Sequence, residues 1–214
     1  MQSPVKSRSR FQPLAAAVLF AVSFMVAFFA LSTPHFNASD TTWIAFWNNR
    51  THRITEIVSV YAALVAGGAL IWLAAQIAHH LARPVIYHAS WASAVMLWVS
   101  AVLFSAAPAA MAISGSPPPS AEFDRVATDM GAAALTWFAI PVAAFLVIVT
   151  SLTALRTGAM PRWLCSLGLV IAVIVGVGGI AYFPLPLLAI WLLLAGASLS
   201  FPRVPHTKAI PATA

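Results

Sequence analysis

The sequence predicts an all-α polytopic membrane protein, a six-transmembrane-helix bundle with its N-terminus and C-terminus both cytoplasmic. The first observation behind this is composition. Of 214 residues, 61% are hydrophobic and only 7% charged, with a mean hydropathy of +0.91. A soluble domain of this size needs far more charge to cover its surface, so the solvent to reason with is lipid. The second is length. A hydrocarbon core about 30 Å thick takes roughly 20 mostly apolar residues at about 1.5 Å of rise each. Six segments qualify, at about 13–33, 54–81, 90–113, 126–155, 164–181 and 185–201. The third is charge placement. With the N-terminus inside, Lys6, Arg8, Arg10, Arg83, Arg156, Arg162, Arg203 and Lys208 fall on the cytoplasmic side, and Arg50, Arg53 and Arg125 fall outside. This is the positive-inside pattern. All five acidic residues, Asp40, Glu56, Glu122, Asp124 and Asp129, then lie outside as well. Five or seven spans would break both regularities.

Residues 1–12 form a basic cytoplasmic segment ahead of the first span. The apolar run from Leu14 to Leu31 is longer than the core of a signal peptide and further spans follow it, so it reads as an uncleaved anchor. Next, Ser39 or Asp40 can cap a short helix that places Trp43, Trp47 and Arg50 at i, i+4 and i+7, with Ile44 and Phe46 nearby. This predicts an interfacial helix with its indoles at headgroup level. The second span follows the polar stretch "NNRTHRITE". His79 and His80 at its inner end, and His88 at the start of the third span, read as interface histidines. Pro108 and Pro141 predict kinks in the third and fourth spans. Between those spans "SGSPPPSAEFD" is irregular, with Ser120 or Asp124 as the cap of the fourth helix. The fifth span repeats Gly168, Ala172 and Gly176, with Gly179 one turn on. In lipid that is a helix-packing face, read first as packing inside the bundle and second as an oligomer contact. The fifth and sixth spans form a hairpin around "YFPLP", and residues 202–214 are a cytoplasmic tail.

Chemistry is sparse. Arg53 and Glu56 share one helix face, as do His52 and Glu56, and as do Arg125 and Asp129. On one reading these are solvated charges on the outer turns of long helices, each pair worth under about 1 kcal/mol. On the other, Glu56 and Asp129 sit inside the bundle with Arg53 and Arg125 as cross-helix partners, around a small polar-mouthed cavity between the second and fourth spans. An ionisable group in hydrocarbon is expensive and usually functional. Arg53, Glu56, Arg125 and Asp129 are therefore the ligand-binding or coupling candidates. Small residues Val60, Ala63 and Gly67 lie below Glu56. Ala132, Ala133 and Thr136 lie below Asp129, with Trp137 beside them. No catalytic residue is assigned, because GxSxG, P-loop and GxGxxG patterns are absent. No metal is expected either. His52 and Glu56, with His35 or an outer Asp, have acceptable spacing, but HExxH is missing. Haem is not expected, since the last three spans carry no histidine and His206 is in the tail. No cofactor is implied. Cys165 is the single cysteine, which excludes a disulfide within one chain. The basic excess is explained by topology, with no nucleic-acid partner.

Three stretches carry a resemblance: the first span ending in "STP", the polar helix "SDTTWIAFWNNRTHRI", and "FDRVATDMGAAALTWFAIPVAAFLVIVTSLTALRTGAMPRWLCSLGLV", in which "ALRTGAMPRWL" is the most specific. In these the chain resembles the DUF4386-like family of bacterial, largely actinobacterial, six-span membrane proteins. The resemblance covers most of the chain beyond residue 10. It implies a six-helix fold in the bacterial inner, or plasma, membrane and carries over no activity.

The leading functional expectation is a non-enzymatic membrane protein. It is either an accessory or sensory subunit, with a membrane-protein partner or a second copy, or a binder of a small ligand or lipid through the outer mouth. The rivals are a small secondary transporter, with Glu56 and Asp129 as coupling residues and Pro141 as a flexing point, and a membrane-embedded lipid-modifying enzyme using His52 and Glu56.

Overall fold

The computed structural model describes residues 11–35, 37–115, 117–178 and 185–201, and these form helices and their connections, without a strand. Among the described residues nine α-helices follow in order: α1 Gln12–Ala30, α2 Asp40–Asn48, α3 Arg50–Leu81, α4 Pro84–Phe104, α5 Ala106–Ser114, α6 Ala121–Ala133, α7 Ile140–Thr157, α8 Arg162–Gly178 and α9 Leu185–Ser200. A π-helical stretch, Ala134–Ala139, joins α6 to α7. Four helical units are long and apolar enough to cross a bilayer: α1, α3, α4 and the continuous Ala121–Thr157. α8 and α9 are apolar but shorter, each roughly 25 Å at 1.5 Å per residue. The Tyr182 to Pro184 part of the expected turn, Gly179, the basic residues of the first ten positions, Arg203, His206 and Lys208 lie outside the described residues.

Local chemistry sets the helix ends, and several differ from the expected ones. α1 opens on Pro13, where a missing N–H costs nothing. It stops at Ala30 rather than Thr33: Pro34 disfavours helical geometry at the residue before it, and Leu31 is already extended at ψ 119°. α3 starts at Arg50, earlier than Ile54, because the Asn49 side chain accepts from Thr51 N at 2.9 Å and caps it. Arg50, His52 and Arg53 thus belong to the helix.

α3 ends on Ala82 in the left-handed region, φ 51°, and α4 begins at Pro84, six residues before the expected Ser90. The expected third span also breaks. Pro108 has no N–H for the carbonyl of Phe104 and its ring crowds that oxygen, so helix α4 ends there and α5 leaves as a separate outer segment. The fourth span begins at Ala121 instead of Val126, under a cap in which Ser120 Oγ accepts from Phe123 N at 3.3 Å. Within it Pro141 cannot donate to Trp137. The preceding turn widens, and Ile140 N bonds Leu135 O, five residues back.

The core is a seam of α1, α3, α4, α7, α8 and α9, built from Phe20, Leu73, Ile77, Leu146, Trp191 and Leu192 among others. Side chains that face outward stay apolar, as lipid requires, with Phe29 at 75% and Val177 at 80% exposure. Hydroxyls and indoles tie helices through spare carbonyls. Ser59 donates to Ala27 O (2.8 Å), Ser100 to Gly131 O (2.8 Å), Ser93 to Ala139 O (3.3 Å), Trp98 to Leu64 O (3.1 Å) and Trp191 to Leu164 O (2.9 Å). Glycines make room for both indoles: a methyl group on Gly67 would overlap Trp98, and one on Gly168 would overlap Trp191 and Ser151. Ala172 is buried in the same core, while Gly176 faces Ala144 with ordinary spacing. The packing face of α8 is therefore occupied by α7 and α9.

Candidate functional site

Glu56 sits one and a half turns into α3 and is fully buried. The extended segment after α1 reaches across it, and Ser32 N donates to Oε2 at 3.3 Å. Oε1 has no partner. Glu56 lines a cavity of about 50 Å³ with Phe24, Phe28, Ser59, Ser100 and Phe104, among others. The walls come from α1, α3 and α4, with Leu135 from the π-helical stretch and Leu185 from α9. An outer groove of about 660 Å³ adjoins it. Phe28, Leu31 and Phe104 line both spaces, and Thr128, Asp129 and Trp43 line the groove alone. A third, smaller space of about 30 Å³ continues inward past Phe24 and Leu97 to Ser93 and Ala139.

The expected cross-helix ion pairs do not form. Arg125 instead reaches α2: Nη2 lies 2.7 Å from Asp40 Oδ1 and donates to Ala38 O at 2.7 Å, with the guanidinium 5.9 Å above the Trp43 ring. Arg53 is half-buried and lines neither the cavity nor the groove. Glu56 and Asp129 are brought to neighbouring spaces, and no basic side chain among the described residues lines either space. The expected cavity between the second and fourth spans is thus walled mainly by the first three, because α4 packs between α3 and α6.

α2 also departs from expectation. Ser39 caps it by accepting from Thr42 N at 3.3 Å, as the sequence suggests. Its indoles, however, are not at an interface. Trp43 and Trp47 are both 1% exposed, Trp47 against Ala107 and Met111 of α5 and Trp43 beneath the Arg125 guanidinium. Asp124, a candidate cap, lies on the buried side of α6 with both carboxylate oxygens unpartnered. Sequence reading misses it: nothing local marks which face of the first α6 turn goes inward.

His52 is engaged elsewhere than with Glu56. Its ring stacks on Phe46 at 4.0 Å and Nδ1 lies 3.2 Å from Phe46 O. Among the described residues no three His, Cys, Asp or Glu side chains converge as a metal site would need. Cys165 is buried and free.

Arg125 fastens α2 over the groove, which gives a test. Arg125→Ala should speed amide exchange across Asp40–Asn48 by about tenfold, the worth of a charge-assisted hydrogen bond in a partly exposed site. Amides in α3 and α7 should not change. Hydrogen exchange in nanodiscs reads this directly; a uniform change over the whole bundle would mean that α2 is held by its buried indoles alone.

Comparison with protein families, curated proteins and solved structures gives no match to this chain.

Proposed function

We propose that this chain is a non-enzymatic, multi-pass protein of the bacterial plasma membrane that holds a small amphipathic ligand in the outer half of its bundle. The observation that carries the reading is Glu56, a buried carboxyl with one oxygen unpartnered among the described residues, on the wall of a mostly apolar cavity next to an outer groove. Apolar pockets with a few convergent polar groups are the usual form of a ligand site. A polar group left unpaired in such a site costs free energy until something binds it. The frame is six spans with both termini inside, α8 and α9 serving as the short fifth and sixth. Its support is the placement of basic and acidic residues and the resemblance to DUF4386-like proteins.

Native mass spectrometry of protein gently extracted from its own membrane tests the reading. A small molecule bound one to one, lost on substitution of Glu56 by Gln, is expected. A stoichiometric protein partner with no small molecule would overturn it in favour of an accessory subunit.

A further inference from the structure

We propose that the ligand of the Glu56 cavity is an organic ammonium ion, a protonated hydrophobic amine whose head meets Glu56 and whose apolar body lies toward the outer groove. This rests on the ligand-binding reading above and adds the charge class of what is bound. The argument is a count of donors and acceptors. Ser59 spends its one proton on Ala27 O and Ser100 spends its own on Gly131 O, so both hydroxyls face a ligand only as acceptors. Oε1 of Glu56 accepts only, if ionised. The polar side chains of the wall therefore offer acceptors and no free donor.

Such a wall suits a group rich in N–H donors and rejects a carboxylate or phosphate. With Glu56 ionised it also carries negative charge, with no basic side chain among the described residues lining it, and Asp129 adds a second carboxylate on the groove through which a ligand would approach. Three aromatic rings, Phe24, Phe28 and Phe104, complete the wall, and ring faces attract ammonium ions. A bare hard cation is a poor fit, because it needs about six oxygen ligands and these walls are mostly carbon. Space agrees. About 50 Å³ takes a small head group, where a single water needs about 10–15 Å³. The adjoining groove has room for the remainder of the ligand.

The test is equilibrium binding of benzylammonium, benzyl alcohol and benzoate to the full chain in nanodiscs, with empty nanodiscs subtracting partition into lipid. Benzylammonium should bind at least tenfold more tightly than benzyl alcohol, and benzoate not measurably. Glu56→Gln should abolish the tenfold preference. Equal binding of amine and alcohol by the unaltered chain would overturn the charge class and leave the ligand-binding reading standing. Preference for benzoate would overturn it also. Binding of none of the three would count against the cavity as a ligand site, and so against both. Because the amine-to-alcohol ratio is read on the unaltered chain, the proposal stays falsifiable even if the Glu56 variant does not fold.

Discussion

Gly196→Val is expected to destabilise the bundle by about 3 kcal/mol, the upper end of what overpacking a close-packed site costs. Gly196 is where α9 touches α1. A Cβ there would overlap Ala17 Cβ and lie 2.7 Å from the carbonyl oxygen of Pro13. Neither the Ala17 Cβ, which the backbone fixes, nor a main-chain carbonyl can rotate away, so the two helices must separate along the seam. That seam also holds the hydrogen bond from Leu14 N, a free donor in the first turn of α1, to Ser200 Oγ at 3.0 Å. Two other glycines serve as controls. A methyl group on Gly68 would have no neighbour within 4 Å, and one on Gly176 would meet only Ala144, at 3.6 Å. Alanine at either should be neutral or stabilising by about 0.5–1 kcal/mol, since glycine costs backbone entropy in a helix. Reversible unfolding in bicelles compares all three. If Gly196→Val unfolds no more easily than Gly68→Ala, the α1–α9 contact is not tight.

The controls show which parts of this molecule are legible in its sequence. Where apolar runs begin and end is local information. Pro13, Asn49, Pro84, Ser120 and Pro108 each act on their own turn, and the ends of the main helices differ from the expected ones by up to nine residues, at the break before Pro108. The Gly168, Ala172 and Gly176 repeat is visible too, although only tertiary structure shows that Gly168 accommodates Trp191 while Gly176 accommodates little. The site is legible only in part. Glu56 and Asp129 stand out because charge is rare in this chain, but their partners do not. Arg125 is one turn from Asp129 on the same helix and nonetheless pairs with Asp40, far away in sequence, because α2 folds over the outer end of α6. The burial of Trp47 depends on where α5 packs beyond the break from α4, a direction that a nearby proline does not specify. The hydrogen bond that Glu56 accepts comes from a backbone N–H, that of Ser32 beyond the end of α1, which no side-chain pattern announces.

Glu56→Gln should make the ligand-free protein more stable, by about 1–3 kcal/mol, whereas most substitutions of a buried residue lower stability. The side chain is fully enclosed, and its single hydrogen bond is the 3.3 Å contact from Ser32 N. A carboxyl so placed is costly to bury in any protonation state, since one charge-assisted bond does not replace its hydration. Glutamine has nearly the same shape. Its carbonyl oxygen keeps the Ser32 contact, and an uncharged amide is cheaper to desolvate than a carboxylate. Glu56→Leu separates the two effects, because it removes the charge and also strands the Ser32 N–H; it should be less stable than Glu56→Gln. The same unfolding measurement decides between roles. A Gln variant weaker than the parent would mean that the carboxylate is there to hold residues 31–35 against α3. A stronger one means that the chain retains a destabilising acid for what it binds, as sites shaped for a ligand rather than for the fold commonly do.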